Sequence, residues 1–130
     1  MTEPSEPPRT SAPVYAGIDL GGTSIHAAAV QGGEILAEVG CKTPIGKGPD
    51  AVVERIAGLV DELRSGLGDE TPLGGVCVGA PGGVDPATGI VHHAPNLGWS
   101  DYPLGETLAA RVKLPVAVEN DVSIGAIGEH

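Results

Sequence analysis

No other part of this chain limits its fold as strongly as the segment Leu73–Ala80. It reads L-G-G-V-C-V-G-A, a run without a charge and without the apolar–polar alternation of a strand that has one wet face. Continuous apolar character of this kind is typical of a central strand that is covered on both faces. The segment therefore predicts an α/β fold, in which helices pack against a sheet.

Three strands are predicted near the N-terminus, over residues 14–20, 24–30 and 34–39. The turn between the second and the third strand contains Gly32 and Gly33, because a tight hairpin needs residues that tolerate positive φ. Such short connections predict an antiparallel meander.

Helical spacing of apolar residues predicts two helices, over residues 49–66 and 103–112. Asp50 is the expected N-cap of the first helix, and Ser100 or Asp101 is the expected N-cap of the second. The apolar faces contain Val53, Ile56, Val60 and Leu63 in the first helix, and Leu104, Leu108 and Val112 in the second.

The last predicted strand, P-V-A-V-E-N, ends at Asn120, and a third helix is predicted to begin at Asp121. Residues 81–99 are predicted to form a long loop that can include a hairpin at residues 85–89. The order β-β-β-α-β-α-β-α predicts a mixed sheet with helices on both faces. Right-handed crossovers would make the last two strands parallel to the first.

The composition excludes several classes of protein. A chain of 130 residues has room for one domain, over residues 14–130, and the Pro-rich segment 1–13 is predicted to be a disordered tail. A net charge of −10 argues against nucleic-acid binding, which relies on a basic surface. Cys41 and Cys77 are too few for a disulfide framework or a four-cysteine zinc site, which fits a cytoplasmic protein. No apolar run approaches the ~20 residues of a membrane span.

The first motif that could carry chemistry is G-I-D-L-G-G-T-S, in which Asp19 ends a strand and is followed by Gly21 and Gly22. Glycines let the backbone approach an anion closely, and successive N–H groups can bind phosphate oxygens. Asp19 could hold Mg²⁺ through water, because Mg²⁺ gives up its hydration shell reluctantly. The alternative is that these residues serve only a hairpin turn. A dinucleotide-binding fingerprint is disfavoured because a strand, and not a helix, follows the glycines.

The second motif is V-E-N-D, at the end of the last strand. The amide of Asn120 can both donate to and accept from a sugar hydroxyl. The dipole of the following helix would keep Asp121 ionised and ready to accept a hydroxyl proton. In the alternative interpretation Asp121 is only the N-cap of that helix.

The third motif is the Gly- and Pro-rich loop after the central strand. The backbone at Gly82 and Gly83 could bind a polyhydroxylated ligand, and Asn96 could add an amide. The alternative is an ordinary loop, although structureless loops of this length are uncommon and often functional. A metal site at His92 and His93 is disfavoured, because adjacent residues of an extended segment point to opposite sides.

Four motifs, in their order and spacing, resemble the N-terminal half of the ROK family, which groups bacterial glucokinases and related sugar kinases with sugar-responsive repressors. They are G-I-D-L-G-G-T-S, V-G-A-P-G-G-V-D-P-A-T-G-I-V, P-N-L-G-W and V-E-N-D, between Val14 and His130. The resemblance implies an actin-like, ribonuclease H-like fold of two domains around a cleft. This chain would be the N-terminal domain.

The resemblance also implies roles for individual residues. Asp121 would be the catalytic base. The first phosphate loop would contain Asp19, Gly21, Gly22, Thr23 and Ser24, and the sugar contacts would come from Gly82, Gly83, Asn96, Asn120 and Asp121. Many members of the family have Lys where this chain has Ser24, so the fine contacts of that loop are left open.

Several parts of the family pattern have no counterpart in this chain. They are the second phosphate loop, the adenosine site, the remaining sugar-binding Glu and His, and a His/Cys zinc cluster. The expectation is therefore an isolated N-terminal domain or a truncated chain, with no zinc site and no activity of its own. The lack of a helix-turn-helix before Val14 disfavours a repressor.

The implied activity is phosphorylation of a hexose by ATP with Mg²⁺, and conversion of glucose to glucose 6-phosphate is the first expectation. The alternative is a non-catalytic sugar-sensing module of a ROK-type regulator, which would need no phosphate loop. The motifs leave both ATP and polyphosphate open as donors. The expected partners are the hexose and, in the intact protein, a second copy of the chain, with no nucleic acid and no membrane.

Overall fold

The computed structural model describes residues 13–68, 71–95 and 97–120. Three predictions lie outside the described residues: the tail before Pro13, the contribution of Asn96, and the helix beginning at Asp121.

The described residues form two helices and eight strands. In chain order they are β1 (Val14–Leu20), β2 (Ser24–Gln31), β3 (Glu34–Lys42), α1 (Pro49–Leu67), β4 (Leu73–Ala80), β5 (Gly83–Asp85), β6 (Ile90–Ala94), β7 (Trp99–Tyr102), α2 (Leu104–Val112) and β8 (Val116–Asn120).

Five strands form a mixed sheet in the order β3-β2-β1-β4-β8. The first three strands are the predicted antiparallel meander. β4 lies between β1 and β8 and is parallel to both, as the right-handed crossovers predicted. The segment Leu73–Ala80 is therefore a central strand, as predicted, with a hydrogen-bonded neighbour on each side. That both of its faces are covered stays a prediction.

One face of the sheet, the helix face, carries the core. Ile18, Ile25, Val78 and Val118 lie on it and are 0% exposed. α1 packs on β1, β2 and β3, α2 packs on β8, and the two helices pack on each other. Both helices therefore cover the same face, because their apolar residues recur at the spacing of one helical side.

The opposite face, the open face, contains Tyr15, His26, Cys77 and Ala117, which alternate with the buried residues. Tyr15 is 49% exposed. Neither described helix covers this face, and the prediction of helices on both faces depends on the helix expected from Asp121. Within the described residues no helix is long and apolar enough to cross a membrane.

The segment 81–99, predicted to be a loop, contributes most of a second sheet. β5, β6 and β7 pair antiparallel in that order and are named the arm. The predicted hairpin is the β5–β6 turn, where the Asp85 carbonyl accepts a hydrogen bond of 2.8 Å from the Gly89 N–H. The arm is held to the core by Trp99, which is 3% exposed and belongs to the core cluster.

The predicted helix caps are wrong. Gly48 is the N-cap of α1, and Pro49 occupies the first turn, where its missing N–H costs nothing. Asp50 lies inside the helix, and its carboxylate accepts a hydrogen bond of 2.9 Å from the Tyr102 hydroxyl. Ser100 and Asp101 belong to β7, and α2 begins after Pro103.

Candidate active site

The register of the sheet brings the first two motifs to the same edge. Asp19, at the end of β1, pairs with Gly79 of β4, and Gly79 pairs with Glu119 of β8. Asn120 is the next residue and pairs with Ala80. Because β1, β4 and β8 run parallel, all three end at one edge, which is where ligands bind in open α/β sheets.

Asp19 and Asn120 approach this edge from different faces. Asp19 alternates with the buried Ile18 and Leu20, so it lies on the open face, where it is exposed. Asn120 follows the alternation of the buried Val118 and lies on the helix face, on the side of α2 and the arm. A ligand that contacts both residues has to span the edge.

The turn between β1 and β2 is closed by its own backbone. The N–H of Gly21 donates to the Ser24 carbonyl at 3.0 Å. A Cβ atom at Gly21 would lie 2.9 Å from that same oxygen, so the turn itself requires glycine at this position. The alternative that this glycine serves the turn is therefore supported for Gly21.

The next two residues differ from Gly21. Within the described chain, the N–H groups of Gly22 and Thr23 donate no hydrogen bond, and both residues are at least partly exposed. Two adjacent donors without a protein acceptor suit a phosphate oxygen. The Ser24 hydroxyl is engaged by the His26 ring, whose Nε2 lies 3.3 Å from Oγ. Residues 21–24 are called the phosphate turn below, and that they bind phosphate, Ser24 included, stays a prediction.

The donor chemistry at Asp19 suits hydrated Mg²⁺. Its carboxylate is exposed, adjoins the phosphate turn and makes no ion pair within the described part of the chain. Oxygen ligands that reach Mg²⁺ through retained water are the usual arrangement for this cation. Among the described residues no three His, Cys, Asp or Glu side chains gather to hold a metal, so one carboxylate would act with ligand oxygens.

The two glycines assigned to sugar binding have different structural reasons. Gly82 has φ +83°, and a Cβ atom there would overlap the His93 carbonyl oxygen, so the arm itself requires glycine. Nothing lies within 4 Å of a Cβ built at Gly83. β5 begins at Gly83 and lies against β8, so the open space adjoins the strand that ends in Asn120.

The two histidines of the arm do not converge. His92 Nδ1 lies 2.8 Å from Asp101 Oδ1 across the β6–β7 pair, and both side chains are exposed. His93 pairs in register with Ser100, one position along the strand. His92 therefore contacts Asp101 of the neighbouring strand, and no three His, Cys, Asp or Glu side chains of the described residues gather here to hold a metal ion.

Sequence reasoning missed Thr43, which directly follows β3. Its hydroxyl donates to the Gly21 carbonyl at 2.8 Å, and its N–H donates to the Thr23 carbonyl at 3.0 Å. The two partners are 22 and 20 residues away in sequence, so local spacing gave no signal. Only the antiparallel register of β2 and β3, with Ser24 opposite Lys42, brings the residue to the turn.

Cys77 lies on the open face, two residues before Gly79. Burial, and secondarily the Glu119 carboxylate, raise the pKa of its thiol. The thiol is therefore protonated at neutral pH, and a protonated thiol is a poor nucleophile. A covalent role for Cys77 at this edge of the sheet is not supported.

The fold and this edge define a class of protein. A mixed sheet in the order β3-β2-β1-β4-β8, with a glycine turn after β1 and polar residues at its carboxyl edge, is the arrangement found in the actin-like ATPase fold of sugar kinases. The chain belongs to the ROK family, whose model matches residues 15–130.

Several relatives are glucokinases. The glucokinase of Halalkalibacterium halodurans is 39% identical over 117 residues, which cover 88% of this chain and 36% of that protein. The glucokinase of Streptomyces coelicolor is 42% identical over 115 residues, covering 88% and 34%. A ROK glucokinase from Streptomyces griseus, solved in complex with glucose and AMPPNP, matches with a TM-score of 0.81 at 36% identity, over 89% of this chain and 36% of that one.

The family also contains regulators. The xylose repressor of Caldicellulosiruptor bescii is 32% identical over 116 residues, which cover 87% of this chain and 29% of that protein. The chain thus spans about a third of the length of the relatives that it matches. The relatives that the chain matches thus include both glucokinases and a xylose repressor.

Proposed function

We propose that the complete protein phosphorylates a hexose with ATP, with glucose as the first substrate to test and the 6-hydroxyl as the acceptor. In this proposal residues 14–130 are the N-terminal domain of a two-domain kinase. The observation that carries it is the shared edge of the sheet. The carboxylate of Asp19 lies near the end of β1, the following turn has two N–H groups without an acceptor among the described residues, and β8 ends in an amide. Similarity to glucokinases favours this substrate class.

The nucleotide would bind on the side of the phosphate turn. When bound, Mg²⁺ and ATP supply the phosphoryl group and neutralise part of its charge. Asp19 would hold the hydrated cation through water, and the N–H groups of Gly22 and Thr23 would donate to phosphate oxygens. No basic side chain is needed for this role, in keeping with the net charge of −10.

The sugar would bind on the side of the arm. Asn120, Gly83 and Gly82 would contact its hydroxyls, together with Asn96, which lies outside the described residues. Asp121 would accept the proton of the attacking hydroxyl late in the reaction. Phosphoryl transfer depends mainly on positioning and charge stabilisation, so an aspartate of ordinary pKa, about 3.9, is sufficient as this acceptor.

The same proposal extends to the surroundings of the protein. An acidic chain with two cysteines that the structure leaves unpaired fits a cytoplasmic enzyme without nucleic acid or membrane as a partner. The intact protein is proposed to be a homodimer. Its proposed role is to supply glucose 6-phosphate to glycolysis.

A second candidate is a sugar-sensing module without catalytic activity. The similarity to the xylose repressor favours it. A sensor needs the arm and Asn120 but has no use for the free donors at Gly22 and Thr23 or for the carboxylate of Asp19. Because all of these are present, the kinase is preferred.

Replacement of Asp19 by Asn distinguishes the two candidates. In the full-length polypeptide that carries this chain, Asp19→Asn is expected to lower kcat by about 10²-fold, because Mg²⁺ loses its carboxylate, and to leave sugar affinity within about twofold. Asp61→Asn is the matched control, since Asp61 is an exposed carboxylate of α1. Phosphorylation of glucose, followed by a coupled assay, and sugar binding, followed by calorimetry, are the measurements. Sugar binding without any phosphorylation by the unmodified protein would favour the sensor.

A further inference from the structure

Thr43 is the one polar residue that is buried among the described residues, with 7% of its surface exposed. A buried hydroxyl has to be satisfied, and this one donates to the Gly21 carbonyl at 2.8 Å. The Thr43 N–H donates to the Thr23 carbonyl at 3.0 Å. A single residue thus binds the phosphate turn at two of its carbonyl groups.

The geometry of the peptide bond gives these contacts a consequence for ligand binding. The Gly21 carbonyl and the Gly22 N–H belong to one planar trans peptide unit, so they point in opposite directions. A hydroxyl that holds the carbonyl inward therefore aims the Gly22 N–H away from the protein. The Gly22 N–H is one of the two donors of the turn that have no acceptor among the described residues.

We propose that Thr43 is a positioning residue for nucleotide binding: its side-chain hydroxyl fixes the peptide unit that presents the Gly22 N–H to a phosphate oxygen. This inference rests on the proposed kinase function. It assigns a role to a residue that follows β3, whereas the turn that it orients joins β1 to β2. Replacement of the hydroxyl by a methyl group frees this peptide unit to rotate while the backbone bond from Thr43 to Thr23 remains.

Two substitutions separate the hydroxyl from the volume of the side chain. Thr43→Val keeps the shape and removes the donor, and Thr43→Ser keeps the donor. In the full-length polypeptide, Thr43→Val is expected to raise the KM for Mg-ATP about tenfold, the usual effect of losing one hydrogen bond, with the KM for glucose within about twofold. Thr43→Ser is expected to restore most of the nucleotide affinity.

The matched control is Thr71→Val, at the opposite edge of the sheet, before β4. It is expected to leave both KM values unchanged. A normal KM for Mg-ATP in a folded Thr43→Val protein overturns the inference. Equal increases in both KM values, together with a lower Tm, also overturn it, because they indicate a general structural role.

In the full-length polypeptide, the same variants offer a second readout, which needs no kinase activity. Hydrogen exchange at the Gly21 amide, which is bonded to the Ser24 carbonyl, reports the order of the turn. Exchange is expected to accelerate about tenfold in Thr43→Val and to stay unchanged in Thr43→Ser; equal rates in all three proteins would contradict the role of the hydroxyl. Failure of the proposed function is a separate result, since it appears as absence of phosphorylation by the unmodified protein with any nucleotide.

Discussion

The register of β8 places its last residue, Asn120, at the same edge as Asp19 and the phosphate turn, and Asp121 is the next residue in the sequence. We expect Asp121→Asn in the full-length polypeptide to reduce kcat by about 10²–10⁴-fold, because the variant has no proton acceptor, while sugar affinity is retained. Steady-state kinetics and a sugar titration are the measurements. Turnover near that of the unmodified protein would leave Asp121 as a helix cap only.

Gly22 permits a second prediction at the residue scale. Its φ is not positive, so a side chain would act by occupying space at the turn and not by straining the backbone. Gly22→Val is expected to weaken nucleotide binding by about tenfold or more, since it fills the space that phosphate needs, with sugar affinity little changed. Nucleotide titration of the full-length variant tests this. The control is Gly46→Asn, because Gly46 lies in an exposed loop with open space around it. This variant is expected to leave nucleotide binding unchanged.

At the scale of single residues, the motifs and the structure single out the same glycines, but the structure gives some of them a role in the backbone itself. The motif around Asp19 predicted a phosphate turn, and within the described residues the N–H groups of Gly22 and Thr23 have no acceptor; phosphate binding there stays a prediction. Gly21 and Gly82, which the motifs assigned to ligands, are already required by close backbone contacts. A sequence gives the residue type but not the neighbouring atom, so it does not separate these two reasons.

At the scale of elements, long periodic segments were predictable and short ones were not. The spacing of apolar residues and the turn residues predicted the meander, α1, β4, α2 and β8, with errors only at the ends of these elements. Of the arm, only the β5–β6 hairpin was predicted. Its three strands were missed because they have three to five residues each, too few for alternation to be visible. The caps were misassigned because Gly48 and Pro49 begin α1 without any side-chain cap.

The attachment of the arm to α2 depends on two glycines. The N–H of Gly105 donates to the Gly89 carbonyl at 3.0 Å. A Cβ atom at Gly105 would lie 3.2 Å from the Gly89 Cα and 3.3 Å from Val118 Cγ2. The arm, α2 and β8 therefore meet at one point, two residues before Asn120, and a methyl group at Gly105 would require its neighbours to shift by a few tenths of an ångström.

We expect Gly105→Ala to lower the free energy of unfolding by about 1–3 kcal/mol, because the cost of overpacking exceeds the gain in helix propensity. Gly58→Ala is the matched control: it is also a glycine inside a helix, but nothing lies within 4 Å of its built Cβ. This control should raise the free energy of unfolding by about 0.5–1 kcal/mol. Urea denaturation of both variants is the measurement. Equal stabilisation by both would contradict the close contact of the arm with α2.

At the scale of the whole molecule, the described residues bury one face of the sheet and leave the other open. The open face carries Tyr15, 49% exposed, beside small residues such as Gly17, Ala28 and Ala117. The edge strand β3 adds Ile35, which is 57% exposed. Ile35 pairs with Val30 of β2, and Val30 pairs with Tyr15 of β1. An apolar surface of this kind favours association with another protein surface.

In the proposed two-domain kinase, residues 14–130 supply one wall of the cleft, with the phosphate turn and the end of β8 at its edge. The resemblance to the family implies that the adenosine site belongs to the second domain. In that proposal, the 130-residue chain would hold a nucleotide through its phosphates alone.

We accordingly expect the 130-residue chain by itself to phosphorylate no sugar at a measurable rate. Positioning can supply about 7–11 kcal/mol of a reduction in barrier, and a site that is open to water on one side loses most of it. The uncovered apolar face should also make the purified chain form dimers or aggregates, visible by analytical ultracentrifugation. A coupled assay with glucose and Mg-ATP at millimolar concentrations is the measurement, with the full-length polypeptide as the positive control. A rate proportional to the concentration of the 130-residue chain would mean that the residues needed for catalysis all lie within it.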